Sequence, residues 1–154
     1  MNSLTVTVAE LFAQAELHPS GPVSWGNPIP ERTAGVYVVA IQNWAAIASE
    51  ALPPHVPQIC RDRWVAGQSV IYIGRTKSSL HARLNQFYRH HYGDLSPHRG
   101  GQSVLLLEIF ERWVYWAPTE EAKAAEAAMI EAFFERTGRL PFANRQRPKA
   151  GRVN

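Results

Sequence analysis

Ser69-Val70-Ile71-Tyr72-Ile73-Gly74-Arg75-Thr76-Lys77-Ser78-Ser79-Leu80-His81-Ala82-Arg83-Leu84 is the stretch on which the reading of this chain turns. Val70, Ile71 and Ile73 form an apolar, β-branched run of strand length, and Gly74 ends it. Ser78 or Ser79 then caps a helix that carries Arg83. A tyrosine near the end of a strand, a glycine corner and an arginine on the next helix converge on one place. Fixed positive charge beside a phenol suits an anionic substrate. The competing reading of these residues alone is an ordinary strand–turn–helix with solvated bases.

Gly35-Val36-Tyr37-Val38-Val39 upstream is a second short apolar strand, with a tyrosine two positions after its opening glycine. The tripeptides Gly35-Val36-Tyr37 and Tyr72-Ile73-Gly74 together resemble the two signatures of the GIY-YIG nuclease family. An arginine on a helix, a glutamate on a later helix and an asparagine near the end follow in the same order. The resemblance covers roughly residues 33–145. It implies an α/β (α+β) domain whose small, mainly antiparallel three-stranded sheet is flanked by helices. It also implies hydrolysis of nucleic-acid phosphodiester bonds.

Composition agrees with a single domain. The chain has 154 residues, 45% hydrophobic and 19% charged, enough for one core and unlike a disordered segment. No apolar run approaches the ~20 residues that span a bilayer. The first residues lack the basic-then-apolar pattern of a secretory signal. The single cysteine, Cys60, excludes an internal disulfide framework and fits a reducing, cytoplasmic compartment. The formal net charge of +3 is unevenly placed. Arg75, Lys77, Arg83 and Arg89 fall in one strand–helix unit, and Arg139, Arg145, Arg147, Lys149 and Arg152 crowd the C-terminal end. Acids gather around Glu120–Glu135. Segregation of this kind suits a polyanionic partner.

The remaining elements follow from local pattern. Thr7-Val8-Ala9-Glu10 is a capping box ahead of Leu11, Phe12, Ala15 and Leu17 at helical spacing. His18 to Arg32, rich in proline and glycine, reads as a loop pinned by Trp25, so residues 1–32 are a helix and a loop. Residues 42–68 read as an insertion between the first two strands: a short helix capped by Asn43, then a long loop with Cys60 and Trp64. Leu80, Leu84, Phe87 and Tyr88 make the buried stripe of a helix running to about His91. Val104–Ile109 and Trp113–Trp116 are strand-like. Thr119 caps an alanine-rich helix that ends at Gly138. Residues 145–154 are a basic tail.

Glu126 is the informative acid. It shares a helical face with Ala122, Met129, Ile130 and Phe133, where an unpaired carboxylate costs several kcal/mol. A metal ion or a salt bridge to a core-flanking arginine answers that cost. Glu131 lies five residues on, about 500° of rotation, so the two side chains point roughly 140° apart. Glu131, beside Ala127, Ala128 and Glu135, is expected to be comfortable in water.

The resemblance implies specific roles. Glu126 would bind Mg2+ (or Mn2+), standing as it does in the frame Glu126-Ala127-Ala128-Met129-Ile130. Arg83 would hold the scissile phosphate, and Tyr37 and Tyr72 would position or deprotonate the attacking water. Asn144 would tie down the site from the last segment. Arg75, Lys77, His81, Arg145 and Arg147 are candidates for substrate contact. Phe87 stands where many members carry a histidine, and Tyr88, His90 and His81 are the candidates to stand in for it. The expected partner is nucleic acid, DNA in preference to RNA, with no membrane. The oligomeric state stays open, a homodimer included. Zinc-site, nucleotide-loop and Ser-His-Asp patterns are not found. The alternative to a metal-dependent endonuclease is a catalytically decayed module that binds nucleic acid or a protein partner.

Overall fold

The computed structural model describes residues 5–41, 52–93 and 101–148. In chain order the elements are α1 (Val8–Gln14), β1 (Ser20–Ser24), β2 (Gly35–Ile41), α2 (Gln58–Arg61), β3 (Val70–Thr76), α3 (Leu80–Tyr88), a 3-10 helix (Gln102–Leu107), β4 (Arg112–Pro118) and α4 (Ala122–Thr137). The expectation for Asn43 and the helix after it lies outside the described residues, as do Lys149 and Arg152.

The four strands form one sheet in the order β1-β4-β2-β3, and every neighbouring pair is antiparallel. Gly35-Val36-Tyr37-Val38-Val39-Ala40-Ile41 is buried along its whole length, as its continuous apolar run requires of a central strand. Alternation then sorts side chains to two faces. Tyr37, Val39, Ile41 and Tyr72 pack with Leu80, Leu84 and Phe87 of α3. Val36, Val38 and Ile73 pack against Leu11 and Phe12 of α1 and Met129 and Phe133 of α4. Gly35 is required by close packing: a Cβ there would strike the Ala117 carbonyl oxygen and lie 2.7 Å from Leu80 Cδ1.

Several local readings hold in detail. The Thr7 hydroxyl accepts from the Glu10 N–H at 3.0 Å, and the Glu10 carboxylate accepts from the Thr7 N–H at 2.9 Å. Ser79 caps α3, its hydroxyl accepting from the Ala82 N–H at 3.1 Å. Gly138 ends α4 in the left-handed region at φ 76°.

Four expectations are corrected. The sheet has four strands, not three, because Ser20–Ser24, inside the expected loop, pairs with β4. Its Gly21 and Pro22 are poor strand formers, tolerated here on an edge where the register breaks between Ser20 and Val23. The Val104–Ile109 run is not a strand but mostly a 3-10 helix, with Val104, Leu106 and Leu107 buried. A short unbroken apolar run carries no period to separate the two. The last helix starts at Ala122 rather than after Thr119, whose hydroxyl accepts from the Glu121 N–H. Finally, the described part of the 42–68 insertion is not a surface elaboration. Leu52, Val56, Cys60 and Trp64 are buried in the core, and the Arg61 guanidinium donates to the carbonyls of Leu52, Pro53 and Val56.

Candidate active site

The β2–β3 register sets Tyr37 across from Gly74 and Val39 across from Tyr72. Both tyrosines therefore leave the sheet on the α3 face, as parity allows, with ring centroids 6.0 Å apart. Phe87 closes the cluster from α3, 6.4 Å from the Tyr37 ring and 5.8 Å from Tyr72. Gly74 makes room for them: a Cβ there would lie 2.5 Å from Tyr37 Cζ and 2.8 Å from Tyr72 Cε2. The second signature glycine is needed for side-chain space rather than for a bend.

Arg83 approaches this cluster from α3. Its charge favours ionisation of both tyrosines, but burial outweighs it and raises both phenols above their ordinary range, Tyr72 strongly. The Tyr37 hydroxyl and Arg83 Nε are both buried, and neither completes a hydrogen bond of normal geometry among the described residues, close as the two side chains are. Two unsatisfied donors side by side suit an oxygen-rich anion.

Glu126 comes from the other face. Arg75, across from Val36, leaves β3 on the α4 side, and its Nε donates to Glu126 Oε1 at 3.0 Å. Burial raises the Glu126 carboxyl above the usual carboxylate range, with Arg75 and then Arg83 pulling it back. The Glu126 charge in turn acts on Tyr37 and Tyr72. Acid, arginines and phenols thus converge on the end of β3 from both sides of the sheet.

Asn144 braces the same strand. Its Oδ1 accepts from the Ile73 N–H and its Nδ2 donates to the Ile73 carbonyl, both at 2.9 Å, while the Ala143 N–H donates to the Ile71 carbonyl at 2.8 Å. The side-chain amide occupies the outer edge of β3 as a peptide group of a fifth strand would. Asn144 is 8% exposed and acts on the backbone between Tyr72 and Gly74.

The other candidates separate. Lys77 is exposed, just past the end of β3. His81 is structural: its Nδ1 donates to the Ile29 carbonyl at 2.7 Å, and Nε2 lies 3.2 Å from Asn85 Nδ2. Both ring nitrogens are committed to holding the 27–31 segment against α3, so His81 is a poor substrate contact. Arg145 is exposed. Arg147 is not free: its Nε and Nη2 each donate to Glu131 at 2.8 Å, and its guanidinium lies 4.0 Å over the Phe134 ring. Glu131 therefore does not sit free in water either. Its side chain is as covered as that of Glu126, 21% exposed in each case, but Arg147 holds its carboxyl below the usual range. Tyr88 donates to the Asn27 carbonyl at 2.7 Å, which ties it to the 27–31 segment rather than to the cluster.

Among the described residues no three His, Cys, Asp or Glu side chains gather, so there is no all-protein cage. Mg2+ is commonly held by one or two carboxylates, with waters and substrate phosphate completing its shell. Glu126 fits that donor set, since Oε1 takes the Arg75 bond and no other hydrogen bond to the carboxylate is found among the described residues.

Two positions at the site escape sequence reasoning. A Cβ on Gly101 would lie 2.8 Å from Tyr72 Cζ and 3.0 Å from Phe87 Cζ, so this loop glycine forms the far wall of the cluster. Trp25 packs edge-on to Phe87 at 5.0 Å and backs that wall. A glycine in a loop carries no mark of such contact. Comparison with known proteins finds no match to this chain among family models, curated proteins or solved structures.

Proposed function

We propose that this protein is a metal-dependent endonuclease that hydrolyses phosphodiester bonds of nucleic acid, DNA in preference to RNA. The observation that supports it best is the convergence of Tyr37, Tyr72, Arg83 and Glu126 on the end of β3, with Asn144 fixing the strand between the tyrosine and the glycine. Tyr37, Tyr72, Arg83 and Glu126 lie on four separate elements, and Asn144 on the segment after α4.

The chemistry asked of each group follows from its surroundings. Arg83 supplies a permanent cation with planar donors, which binds a phosphate and stabilises negative charge as it grows on the oxygens in the transition state. Tyr37 and Tyr72 keep their protons, because burial raises both phenols. They orient the phosphate or the attacking water through hydrogen bonds rather than serving as bases. Glu126 is the metal-holding carboxylate, and Arg75 favours its ionised form against the effect of burial. A bound Mg2+ would supply Lewis-acid polarisation of the phosphate and a more acidic water.

A panel of labelled single- and double-stranded DNA and RNA, incubated with Mg2+ or with chelator, tests this reading. Mg2+-dependent cleavage of at least one substrate, lost in Arg83→Ala, is the expected result. Binding without cleavage would favour the decayed module instead. The Arg75–Glu126 ion pair, which neutralises the metal-binding carboxylate, and Phe87 in place of a histidine are the observations on that side.

A further inference from the structure

Away from the tyrosines, on the outer side of the segment that braces β3, lies a cavity of about 200 Å3 walled by Arg63, Arg139, Asn144 and Arg145. Three of its lining residues are arginines and none is an acid. Arg139 is fixed in place: its Nη1 donates to the Trp64 carbonyl at 3.1 Å, and its Nη2 to the Asp62 carbonyl. The described residues give the Arg63 side chain no hydrogen bond or ion pair, although its backbone is held by the turn that follows α2. Tyr92, 45% exposed, lies close enough to feel the charges of Arg145 and Arg63. Its hydroxyl contacts Cys60 Sγ at 3.7 Å, which anchors the oxygen end of the ring to the core.

We propose that this cavity is a second subsite, which holds a backbone phosphate of the nucleic acid away from the bond that is cut. It deepens the endonuclease reading and rests on it for the identity of the polyanion. Three guanidinium groups line one concave surface and no acid is among its lining residues, an arrangement that favours the entry of an anion. Phosphate contacts of this kind set position without reading sequence. Tyr92, near Arg63 and Arg145, offers a ring on which an unpaired base can stack. Asn144 belongs to both places, since it lines the cavity while its amide holds Ile73. A strand gripped here is registered against the end of β3 through one rigid segment. The 42–68 insertion, source of Arg63, thereby contributes to substrate grip as well as to the core.

Arg63→Glu tests the subsite, with Arg63→Gln as a milder variant and Arg32→Glu as a charge-matched control on an exposed site elsewhere. Binding of fluorescein-labelled single- and double-stranded oligonucleotides is followed by anisotropy in chelator, across a salt series, with thermal melts to confirm folding. Cleavage kinetics follow in Mg2+. Arg63→Glu should weaken binding about tenfold and make the slope of log affinity against log salt shallower by about one unit, while Arg32→Glu does neither. In cleavage, KM should rise with kcat nearly unchanged. If the wild-type protein binds and cuts but Arg63→Glu matches it in affinity and slope, the subsite is overturned and the endonuclease reading stands. If the wild-type protein binds, with affinity dependent on Arg63, but does not cut, the subsite stands and the endonuclease reading falls. If it binds no oligonucleotide, both fall.

Discussion

The Tyr37 hydroxyl oxygen lies 2.6 Å from where a methyl group on Gly74 would stand, so the first signature tyrosine fills the space that the second signature glycine leaves open. Gly74→Ala cannot be accommodated without moving the wholly buried Tyr37 ring or the β3 backbone. Overpacking of this kind costs about 1–3 kcal/mol, measurable by urea unfolding, and cleavage should fall with it. Unchanged stability and activity would show that β3 is free to retreat from Tyr37.

Tyr37→Phe should separate folding from function. The hydroxyl is buried without a hydrogen-bond partner among the described residues, so its removal sacrifices none of them. Stability should hold or rise by about 1 kcal/mol, while cleavage should fall roughly a hundredfold. A clear loss of stability on removing the oxygen would reveal a bond that holds it.

Arg83→Ala should lower the cleavage rate by about 10²–10³, the usual effect of removing a preorganised donor from a transition state. Arg83→Lys keeps the charge but loses the planar fork, and it should remain impaired. Rates near wild type in the alanine variant, at matched folding, would remove Arg83 from the mechanism.

Glu126→Gln should abolish Mg2+-dependent cleavage and leave the fold intact, whereas Glu131→Gln, which only breaks the Arg147 pair, should cut nearly normally. The pH dependence has a definite sign. Burial raises the Glu126 carboxyl, so the folded protein still holds a proton there at a pH where the unfolded chain has lost it. Stability from this group is therefore highest below the unfolded pKa and falls as pH rises towards the folded value. At neutral pH Glu126→Gln should melt at the same temperature as wild type or higher, with the difference closing towards about pH 4. A lower melting temperature at pH 7 would mean that the Arg75 pair outweighs the burial.

Asn144→Ala should be costly for a residue so near the end of the chain. It removes two bonds to Ile73 and leaves a backbone N–H and C=O without partners, about 2–4 kcal/mol in all. Amide exchange at Ile73 should quicken well beyond that at Tyr72, whose residue pairs with β2. Equal protection would mean that the brace is dispensable.

Much of this arrangement was legible in the residues. Strand parity permits Tyr37 and Tyr72 to share a face, and the register that pairs Tyr37 with Gly74 brings this about. Glu126 was marked by its place on an apolar stripe, and the two answers to its burial there, a cation and a salt bridge, both remain in play beside Arg75. What stayed hidden depends on tertiary partners. Ser20–Ser24 is a strand only because β4 offers an edge, and the buried, unbroken apolar run Val104–Leu107 carries no period that separates a coil from a strand. His81 resembled a substrate contact until its ring was found bonded to the Ile29 carbonyl, 52 residues away. Arg147 looked free until Glu131, described by its helical neighbours alone, proved to be its partner.

The two ends of the sheet share a property that bears on how copies of the chain can meet. At one end, Ala143 and the Asn144 amide already take up the carbonyl of Ile71 and the N–H and carbonyl of Ile73. At the other, Pro22 brings no N–H to the ladder, and the strand is broken in register. Sheets commonly aggregate by adding strands at an open edge, and proline, bulges and covering segments are the devices that prevent it. Both edges of this sheet are thus blunted against a further strand, which disfavours self-association by extension of the hydrogen-bonded ladder.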